Sequence, residues 1–345
     1  MYKTTNLGLL LIIAPVAAVA CSKADKPAPV DTMYSANALG TPVDNIALSI
    51  GEGRMRVDGG RIWYRVVGTG TGMPVMLVHG GPGTNSYALK SLEELGNDRP
   101  VVRYDQLGGG KSDGLSDTIG MNIPHFVAEL DSLRSALGYE RVHLVGHGWG
   151  ATLALEYSRA HPAHVASLTL AGAMFDMPAW QIAMKRLVAT LPESSRTAIA
   201  DREVDGRFNS PDYRAAIADY FQRYMWIHPV ANDADSSAQH VGQRLFEFMH
   251  GPSEVTVSGT LKDYDAMSYL KEVKVPALYV VGEFDEATPA LVRKYASLTP
   301  GARFVLIRDA AHFVTWDNPA ATTAAVREFL NSVDRKNAVS GGRRK

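Results

Sequence analysis

The sequence predicts an α/β fold, with a mostly parallel sheet, helices on both faces and an inserted helical cap. Three observations lead to this fold class. Short apolar runs alternate with helical patterns, one long helix-forming stretch interrupts the alternation, and polar or glycine-rich loops directly follow several of the apolar runs. Parallel strands need long crossover connections, which are usually helices, so the alternation requires a three-layer core. A chain of 345 residues with 46% hydrophobic residues can bury such a core.

The predicted strands begin with a hairpin. Arg54 to Val57 and Arg61 to Val67 flank Asp58-Gly59-Gly60, which is a typical hairpin turn signal. The six further predicted strands are Pro74 to Val78, Val101 to Tyr104, Val142 to Val145, Val165 to Leu170, Ala277 to Val281 and Phe304 to Ile307. The predicted core helices are Ile123 to Leu137, Ala151 to Ala160, Pro289 to Ser297 and Ala320 to Val333.

The long helix-forming stretch divides the core into two parts, residues 46–176 and 263–334. Residues 177–262 are predicted to form a helical cap that includes helices at Ala215 to Trp226 and Ser237 to Met249. The cap enters after the sixth strand, which places it over the carboxyl ends of the strands, where open α/β sheets bind ligands. Residues 335–345 are polar and basic, and we expect them to be disordered.

The N-terminus has the pattern of an export signal at residues 1–20. Lys3 precedes the apolar run Leu7 to Ala20, which is shorter than the roughly 20 residues of a comfortable membrane span. Ala18-Val19-Ala20 fits a cleavage site, and Cys21, the only cysteine, follows it. We expect an exported, periplasmic protein with membrane attachment through a lipidated Cys21. A soluble periplasmic form and an uncleaved anchor are the alternatives. Residues 21–45, rich in Ala, Pro, Ser and Asp, are predicted to be a tether.

Composition and spacing argue against several classes of partner. The formal net charge is −1, and nothing marks a nucleic-acid surface, whose usual footprint is a clustered basic patch, so no nucleic-acid partner is predicted. His161 and His164 have helical spacing but no third ligand nearby in sequence, so no metal site is predicted. Asp105 occupies the position where a phosphate-binding loop ending in Gly110-Lys111-Ser112 would need glycine. No cofactor is therefore predicted, and the oligomeric state is left open.

The most informative motif is Gly146 to Gly150, which directly follows the apolar run Arg141 to Val145. It matches the Gly-x-Ser-x-Gly nucleophile elbow, a sharp turn from strand to helix whose middle serine attacks the substrate. Gly148 occupies the middle position and supplies only a hydrogen. A literal match at Gly110 to Gly114 is rejected because no apolar helix follows it. The chain is thus predicted to carry a hydrolase framework without its nucleophile.

Two further residues complete the pattern of such a site. Asp285 follows the seventh predicted strand and His312 the last, which gives the chain order nucleophile, acid, histidine. Histidine there can take a proton from a hydroxyl and return it to the leaving group, while the aspartate fixes its tautomer. The alternative is that Asp285 caps a helix and His312 fills a loop.

A glycine-rich loop, His79 to Gly83, follows the third predicted strand. So many glycines let the backbone approach a substrate closely and aim its amides at a developing oxyanion. The predicted donors are the backbone N–H of Gly80 or Gly81 and that of Trp149, the residue after the elbow's middle position.

Taken together, these motifs resemble the proline iminopeptidase family of α/β-hydrolases, especially its tricorn-interacting aminopeptidase branch, over roughly residues 45–334. The blocks that carry the resemblance are His79 to Gly83, Asp105 to Ser112, Val145 to Gly150, Gly282 to Pro289 and His312. The resemblance implies an α/β-hydrolase fold and release of an N-terminal residue from a peptide or amide through an acyl-enzyme. It also implies that Glu254, in His250 to Val255, holds the substrate's free α-amino group. The family has serine where this chain has Gly148, so this chain is predicted to be inactive or weakly active.

Three functions remain open at this point. The first is a serine-type aminopeptidase or amidase, acting on a small molecule or short peptide and impaired by Gly148. The second is an esterase, lactonase or hydrolase of drug-like amides, because a fold does not fix its function. The third is a natural non-catalytic binding protein. Retention of Asp285, His312 and the glycine loop favours an enzyme, since a binding protein has no evident need for them.

Overall fold

The computed structural model describes residues 50–342, so the predicted export signal, the tether and Cys21 lie outside the described residues. Eight strands form one sheet in the order β1-β2-β4-β3-β5-β6-β7-β8. Their bounds are β1 (Gly51–Val57), β2 (Gly60–Val67), β3 (Val75–Val78), β4 (Val101–Asp105), β5 (Val142–His147), β6 (Val165–Ala171), β7 (Ala277–Gly282) and β8 (Arg303–Ile307). All eight predicted strands are present.

The sheet is antiparallel at one edge and parallel elsewhere. β1 pairs with β2 and β2 with β4 in antiparallel fashion, while all pairs from β4 to β8 are parallel. The hairpin at Asp58-Gly59 therefore supplies the antiparallel edge. The predicted fold class, a mostly parallel sheet with helical crossovers, is confirmed.

Helices cover both faces of the sheet. The helices of the core are α1 (Ile123–Ala136), α2 (Trp149–Ala160), α8 (Met267–Leu270), α9 (Pro289–Leu298), α10 (Val314–Asp317) and α11 (Pro319–Gly342). Alternation along β3 divides the core: Met76 and Val78 join the cluster under α1 and α2, while Val75 and Leu77 join the cluster under α11. The result is the three-layer arrangement.

A 3₁₀ helix at Ser86–Asn97 was not predicted from the sequence. Its buried Leu89, Leu92 and Leu95 recur every third residue, which is the period of a 3₁₀ helix rather than that of an α-helix. These leucines pack against the same face of the sheet as α11.

The cap consists of α3 (Met177–Val188), α4 (Glu193–Asp205), α5 (Pro211–Tyr224), α6 (Ala231–Gln239) and α7 (Gln243–Met249), between β6 and β7. The prediction of one helix at Ser237 to Met249 was wrong, because the chain breaks between α6 and α7. The N–H of Gly242 donates to the carbonyl of Gly83 at 2.6 Å. A Cβ at Gly242 would lie 1.6 Å from the carbonyl oxygen of Gly108. Glycine at 242 thus allows the cap backbone to dock on the core loops.

The end of the chain also differs from the prediction. We expected residues 335–345 to be disordered, but α11 continues as far as Gly342. Extending an existing helix costs little compared with nucleating one, and Arg335, Lys336 and Ala338 are helix-compatible residues. Over residues 50–342, none of the helices combines the length and apolar character needed to cross a bilayer.

Candidate active site

The turn at Gly148 joins the end of β5 to the start of α2. Its backbone has φ +54° and ψ −119°, a conformation that favours glycine. The two flanking glycines are required by close packing. A Cβ at Gly146 would lie 2.2 Å from the carbonyl oxygen of Gly150, and one at Gly150 would lie 2.1 Å from that of Val78. The segment therefore has the strand, sharp turn and helix geometry of a nucleophile elbow.

The absent side chain at Gly148 would point at His312. A Cβ built on the glycine backbone lies 3.1 Å from Nε2 of His312 and 3.6 Å from Cε of Met174. A hydroxyl attached to that Cβ would be within hydrogen-bond reach of Nε2. Position 148 and His312 thus have the geometric relationship of nucleophile and general base.

Asp285 supports His312 from the other side of the ring. Oδ1 of Asp285 lies 2.8 Å from Nδ1 of His312 and also accepts the N–H of Ala287 at 2.8 Å. Both side chains are buried. Because the carboxylate accepts, Nδ1 carries the proton, and Nε2 is left facing position 148. The structure therefore brings Gly148, His312 and Asp285 together in the predicted order.

The charges around His312 favour its protonated form. Burial opposes that charge, but the carboxylate of Asp285, through its proximity and its hydrogen bond, and that of Glu286 raise the pKa of His312 to about 9. Burial raises the pKa of Glu286 to about 7, and the hydroxyl of Tyr220 donates to its Oε2 at 3.0 Å. At neutral pH, His312 is therefore largely an imidazolium ion in this chain.

Sequence reasoning missed Glu286 and Gly172. A Cβ at Gly172 would lie 2.6 Å from Cε1 of His312 and 3.3 Å from Oδ2 of Asp285, so only glycine leaves room for the pair. Gly172 directly follows β6, a position that could have identified it, because the carboxyl ends of parallel strands meet at one edge of the sheet.

Hydrogen bonds to the Gly80 carbonyl hold the peptide group between Gly80 and Gly81 in one orientation. The carbonyl of Gly80 accepts from Oγ1 of Thr84 at 2.8 Å and from Nδ1 of His79 at 2.7 Å. Because a peptide group is planar, fixing this carbonyl also aims the N–H of Gly81 in the opposite direction. Trp149 begins α2, where first-turn N–H groups have no acceptor within the helix.

Gln106 connects the glycine loop to Trp149, the two parts of the chain with predicted oxyanion donors. It is a third residue that was not singled out from the sequence. Its Nε2 donates to the carbonyl of His79 at 3.0 Å, and its Oε1 accepts from Nε1 of Trp149 at 2.7 Å. Its backbone N–H donates to Nε2 of His79 at 2.9 Å, so Nδ1 of that histidine carries the proton. Gln106 therefore holds the glycine loop and the elbow in fixed relation.

His147, inside the elbow, lies beneath the turn as a neutral residue. Burial, assisted by the charge of His312, lowers its pKa to about 3. Its Nε2 lies 3.0 Å from the backbone carbonyl of His312, which can only accept, so Nε2–H donates. This bond ties the elbow to the loop that carries the base.

A small cavity lies between the elbow and the cap. It has a volume of about 10 Å³, which is room for about one water molecule. Its lining residues are Gly81, Trp149, Thr152, Met174, Met177, His250, Leu261 and Tyr264. Gly81 and Trp149 thus meet at one space, whereas Gly80 does not line it.

The cap is bonded directly to the loops that carry the acid and the base. The carbonyl of Tyr224, the last residue of α5, accepts the N–H of Glu286 at 3.3 Å and that of His312 at 3.1 Å. The carboxylate of Asp317 accepts the N–H groups of Ile227 and His228. Its other oxygen accepts the N–H of Ala311, the residue before His312. Cap position and base position are therefore coupled.

Glu254 lies in the cap, in the loop after α7, and does not line the cavity between Gly81 and Trp149. Its Oε2 accepts from the hydroxyl of Tyr213 at 3.0 Å. Burial raises its pKa, and the nearby carboxylate of Glu203 raises it further. The two glutamates are linked through Ser253, whose hydroxyl bonds both Glu203 and Tyr213.

The rejected motif around Ser112 has a structural role. The Ser112 hydroxyl donates to the carbonyl of Asp105 at 2.5 Å and accepts the N–H of Trp63 at 2.8 Å. It holds the loop after β4 against β2. In the described part of the chain, no group of three or more His, Cys, Asp or Glu residues is arranged to hold a metal ion.

Comparison with known proteins places the chain in a family. A family model described as alpha/beta hydrolase fold matches residues 73–319. The proline iminopeptidase of Heyndrickxia coagulans is 37% identical over 291 residues, which cover 82% of this chain and 99% of that protein. The crystal structure of proline iminopeptidase from Mycobacterium smegmatis superposes with a TM-score of 0.76 at 28% identity, covering 83% of this chain and all of that one. The crystal structure of VinJ superposes with a TM-score of 0.79 at 29% identity over 85% of this chain.

Proposed function

The chain belongs to the proline iminopeptidase-like family of α/β-hydrolases, and from that premise we propose that its scaffold serves as an aminopeptidase or amidase. In this proposal, the scaffold releases an N-terminal amino acid from a short peptide or amide through an acyl-enzyme. Serine at position 148 would be the nucleophile. Gly148 leaves this particular chain inactive or weakly active.

The observation that carries the proposal is the alignment of position 148, His312 and Asp285. A Cβ built at position 148 lies 3.1 Å from Nε2 of His312, and Nδ1 of His312 lies 2.8 Å from Oδ1 of Asp285. A serine hydroxyl at 148 would lose its proton to Nε2 as it attacks the acyl carbon. The N–H groups of Gly81 and Trp149 would hold the developing oxyanion. The imidazolium of His312 would then return the proton to the leaving amine.

The buried carboxyl group of Glu254 supports a substrate with a free amine. Burial raises the pKa of both Glu254 and Glu286, and each accepts only a tyrosine hydroxyl among its side-chain hydrogen bonds within residues 50–342. The positive charge of His312 already acts on Glu286, so a substrate ammonium is better matched to Glu254, to which it would supply a positive charge. We assign the amine to Glu254, in keeping with its motif, and consider Glu286 a second carboxyl near the acyl site.

The loss of the nucleophile sets the expected activity of this chain. Removing the serine of such a triad costs on the order of 10⁶ in turnover, or about 8 kcal/mol of transition-state stabilisation. Gly148 itself is the one feature that favours the second candidate, a non-catalytic binding protein. The retained Asp285 and His312 support the enzyme scaffold instead. So does Gln106, which holds the glycine loop and the elbow in fixed relation.

The test is the revertant Gly148→Ser, assayed on aminoacyl 4-nitroanilides with free and with acetylated amines and on 4-nitrophenyl esters. We expect the revertant to react with a serine-directed phosphonate and to prefer free-amine anilides. Preference for simple esters would favour the esterase alternative. A revertant that neither labels nor turns over any substrate, although folded, would overturn the enzyme proposal and leave the binding protein.

A further inference from the structure

We propose that the small cavity between the elbow and the cap receives the side chain of the substrate's first residue, and that His250 makes this pocket selective for serine. The inference rests on the proposed function, because it names the first residue of the amide that the scaffold would bind. It assigns a specificity-determining role to His250, which directly follows α7.

The position of the cavity beside the predicted oxyanion donors favours a side-chain pocket. Gly81 and Trp149 both line it, and so does Met174, whose Cε lies 3.6 Å from a Cβ built on Gly148. An acyl carbonyl held by Gly81 and Trp149 therefore has its α-carbon next to this space. Glu254, to which we assign the amine, does not line the cavity. The side chain is then the substituent of the α-carbon that faces it.

The volume of the cavity, about 10 Å³, limits the side chain to a small one. It has room for about one water molecule. The Oγ of serine, joined to the α-carbon through a single CH₂ group, can take the place of that water. The larger side chains of proline and leucine would press against Met177 and Leu261, which are buried residues of the wall.

His250 supplies an unsatisfied polar atom to the wall of the cavity. Its Nδ1 is buried and has no hydrogen-bond partner within the described part of the chain. The hydroxyl groups in the wall are already engaged. Thr152 donates to the carbonyl of Met174 at 3.0 Å. Tyr264 donates to the carboxylate of Glu156 at 2.8 Å. A buried polar atom without a partner costs free energy, so Nδ1 favours a ligand that brings one.

The ring of His250 is held in place and is neutral. It stacks on Phe246 with ring centroids 4.6 Å apart, and it meets Trp180 edge-on at 6.1 Å. Burial lowers its pKa to about 4, so the ring carries no charge at neutral pH. A serine hydroxyl can donate to Nδ1 or accept from it, and therefore fits either tautomer of the neutral ring. An alanine methyl group offers Nδ1 no partner.

The experiment measures binding to the full chain with Gly148, whose weak activity allows titration at equilibrium. Calorimetry gives Kd for the 4-nitroanilides of serine, alanine, proline and leucine, which share one leaving group. We expect serine to bind about fivefold more tightly than alanine, which is the effect of one net hydrogen bond. Proline and leucine should bind more weakly than serine. Equal Kd values for serine and alanine, or tighter binding of proline or leucine, would overturn the proposal.

Two matched variants separate the ring of His250 from its nitrogen. His250→Phe keeps a ring that can stack on Phe246 and removes Nδ1, so serine should lose its advantage over alanine. His250→Asn removes the ring and keeps a polar atom near the position of Nδ1, so the preference for serine should persist. A merely structural role of His250 would change Kd for serine and alanine alike. A serine preference that survives in folded His250→Phe protein would contradict the role of Nδ1.

Leu261→Ala tests the size of the pocket. It removes part of the wall and should tighten binding of the leucine anilide, while the ratio of Kd values for alanine and serine stays the same. Unchanged binding of the leucine anilide to the folded variant would contradict the assignment of the cavity to the side chain.

The revertant Gly148→Ser separates this inference from the proposed function. If the revertant hydrolyses free-amine anilides while the chain with glycine shows no preference for serine in Kd, only the further inference fails. If serine is bound preferentially but the folded revertant is inert toward esters and anilides alike, the proposed function fails while the ligand preference remains.

Discussion

A Cβ atom on Gly148 would lie 3.1 Å from Nε2 of His312, so the elbow of this chain is aimed at an intact base although it lacks a nucleophile. The backbone at 148 keeps the conformation that a serine would have to adopt there, with φ +54°. The residues around position 148 therefore keep their arrangement although the hydroxyl is missing. The role of each residue can be tested by a single substitution.

The first prediction concerns stability. Gly148→Ser should lower the melting temperature, because a non-glycine residue in such a conformation costs about 1–3 kcal/mol. For a domain of this size each kcal/mol corresponds to roughly 2–4 °C. Gly138→Ser, at φ +71° with open space around it, should show the backbone cost alone. Gly114→Ser, with open space and no positive φ, should be neutral. A rise in melting temperature for Gly148→Ser would contradict this account.

The second prediction concerns the amine anchor. In the Gly148→Ser background, Glu254→Gln should raise KM for free-amine anilides at least about tenfold, since a buried charge pair is lost. KM for simple esters should change little, because they carry no ammonium. The matched control is Glu247→Gln, a glutamate of the same cap that lies at the surface and bonds Gln243. Equal increases of KM for both substrate types would remove the anchor role of Glu254.

The third prediction concerns pH. Carboxylates raise the pKa of His312 to about 9, and a general base must be neutral to act. On 4-nitrophenyl esters, which carry no ammonium, the kcat/KM of Gly148→Ser should therefore rise about tenfold per pH unit up to about pH 9 and then level off. Glu286→Gln removes one of these carboxylates and should move the midpoint to lower pH. Glu283→Gln, whose carboxylate pairs with Arg308, should leave it in place. A common midpoint for all three proteins would exclude this role of Glu286.

The raised pKa of His312 also makes the stability of the folded state depend on pH. The folded-state pKa of His312 is above its unfolded value of 6.5, so the pairing with Asp285 favours the native state at low pH. Its contribution should be fully present below about pH 6.5 and lost as the pH rises through about 9. Denaturant titrations of His312→Gln and the parent chain across this window should converge at high pH. A difference that grows with pH would have the wrong sign.

The fourth prediction concerns the link between cap and base. Asp317→Ala removes the acceptor of three N–H groups, those of Ile227, His228 and Ala311. Ala311 is buried, whereas Ile227 is partly exposed and His228 is exposed, so the main cost is the one buried N–H left without a partner, and stability should fall by about 1–3 kcal/mol. In the Gly148→Ser background kcat should fall also. Asp309→Asn removes an exposed ion pair with His228, keeps a residue type that tolerates φ +51°, and should cost less than about 1 kcal/mol.

A smaller effect of Asp317→Ala than of Asp309→Asn would show that the cap is held by other contacts. Hydrogen exchange can make the same distinction locally. If Asp317 couples the two regions, its loss should increase exchange at Ile227 and at Ala311 together, whereas a purely local role would leave one of them protected.

Local sequence patterns predicted the eight strands along the chain, the position of the cap and the elbow at Gly146 to Gly150, but not the order of the strands in the sheet. These features depend on local patterns: apolar runs, helical periodicity and glycines at turns. The same patterns identified Asp285 and His312, because each follows a strand whose end must face the site. Where several local signals agree, the tertiary structure has little freedom to differ.

The residues that support Asp285 and His312 could be identified only after the segments were folded together. Gly172 must lack a side chain because His312 and Asp285 occupy its space, and Gln106 is placed by contacts with His79 and Trp149 that are distant in sequence. The break at Gly242 has the same origin. No local pattern encodes such approaches between segments, since each depends on how separate loops pack against one another at the carboxyl edge of the sheet.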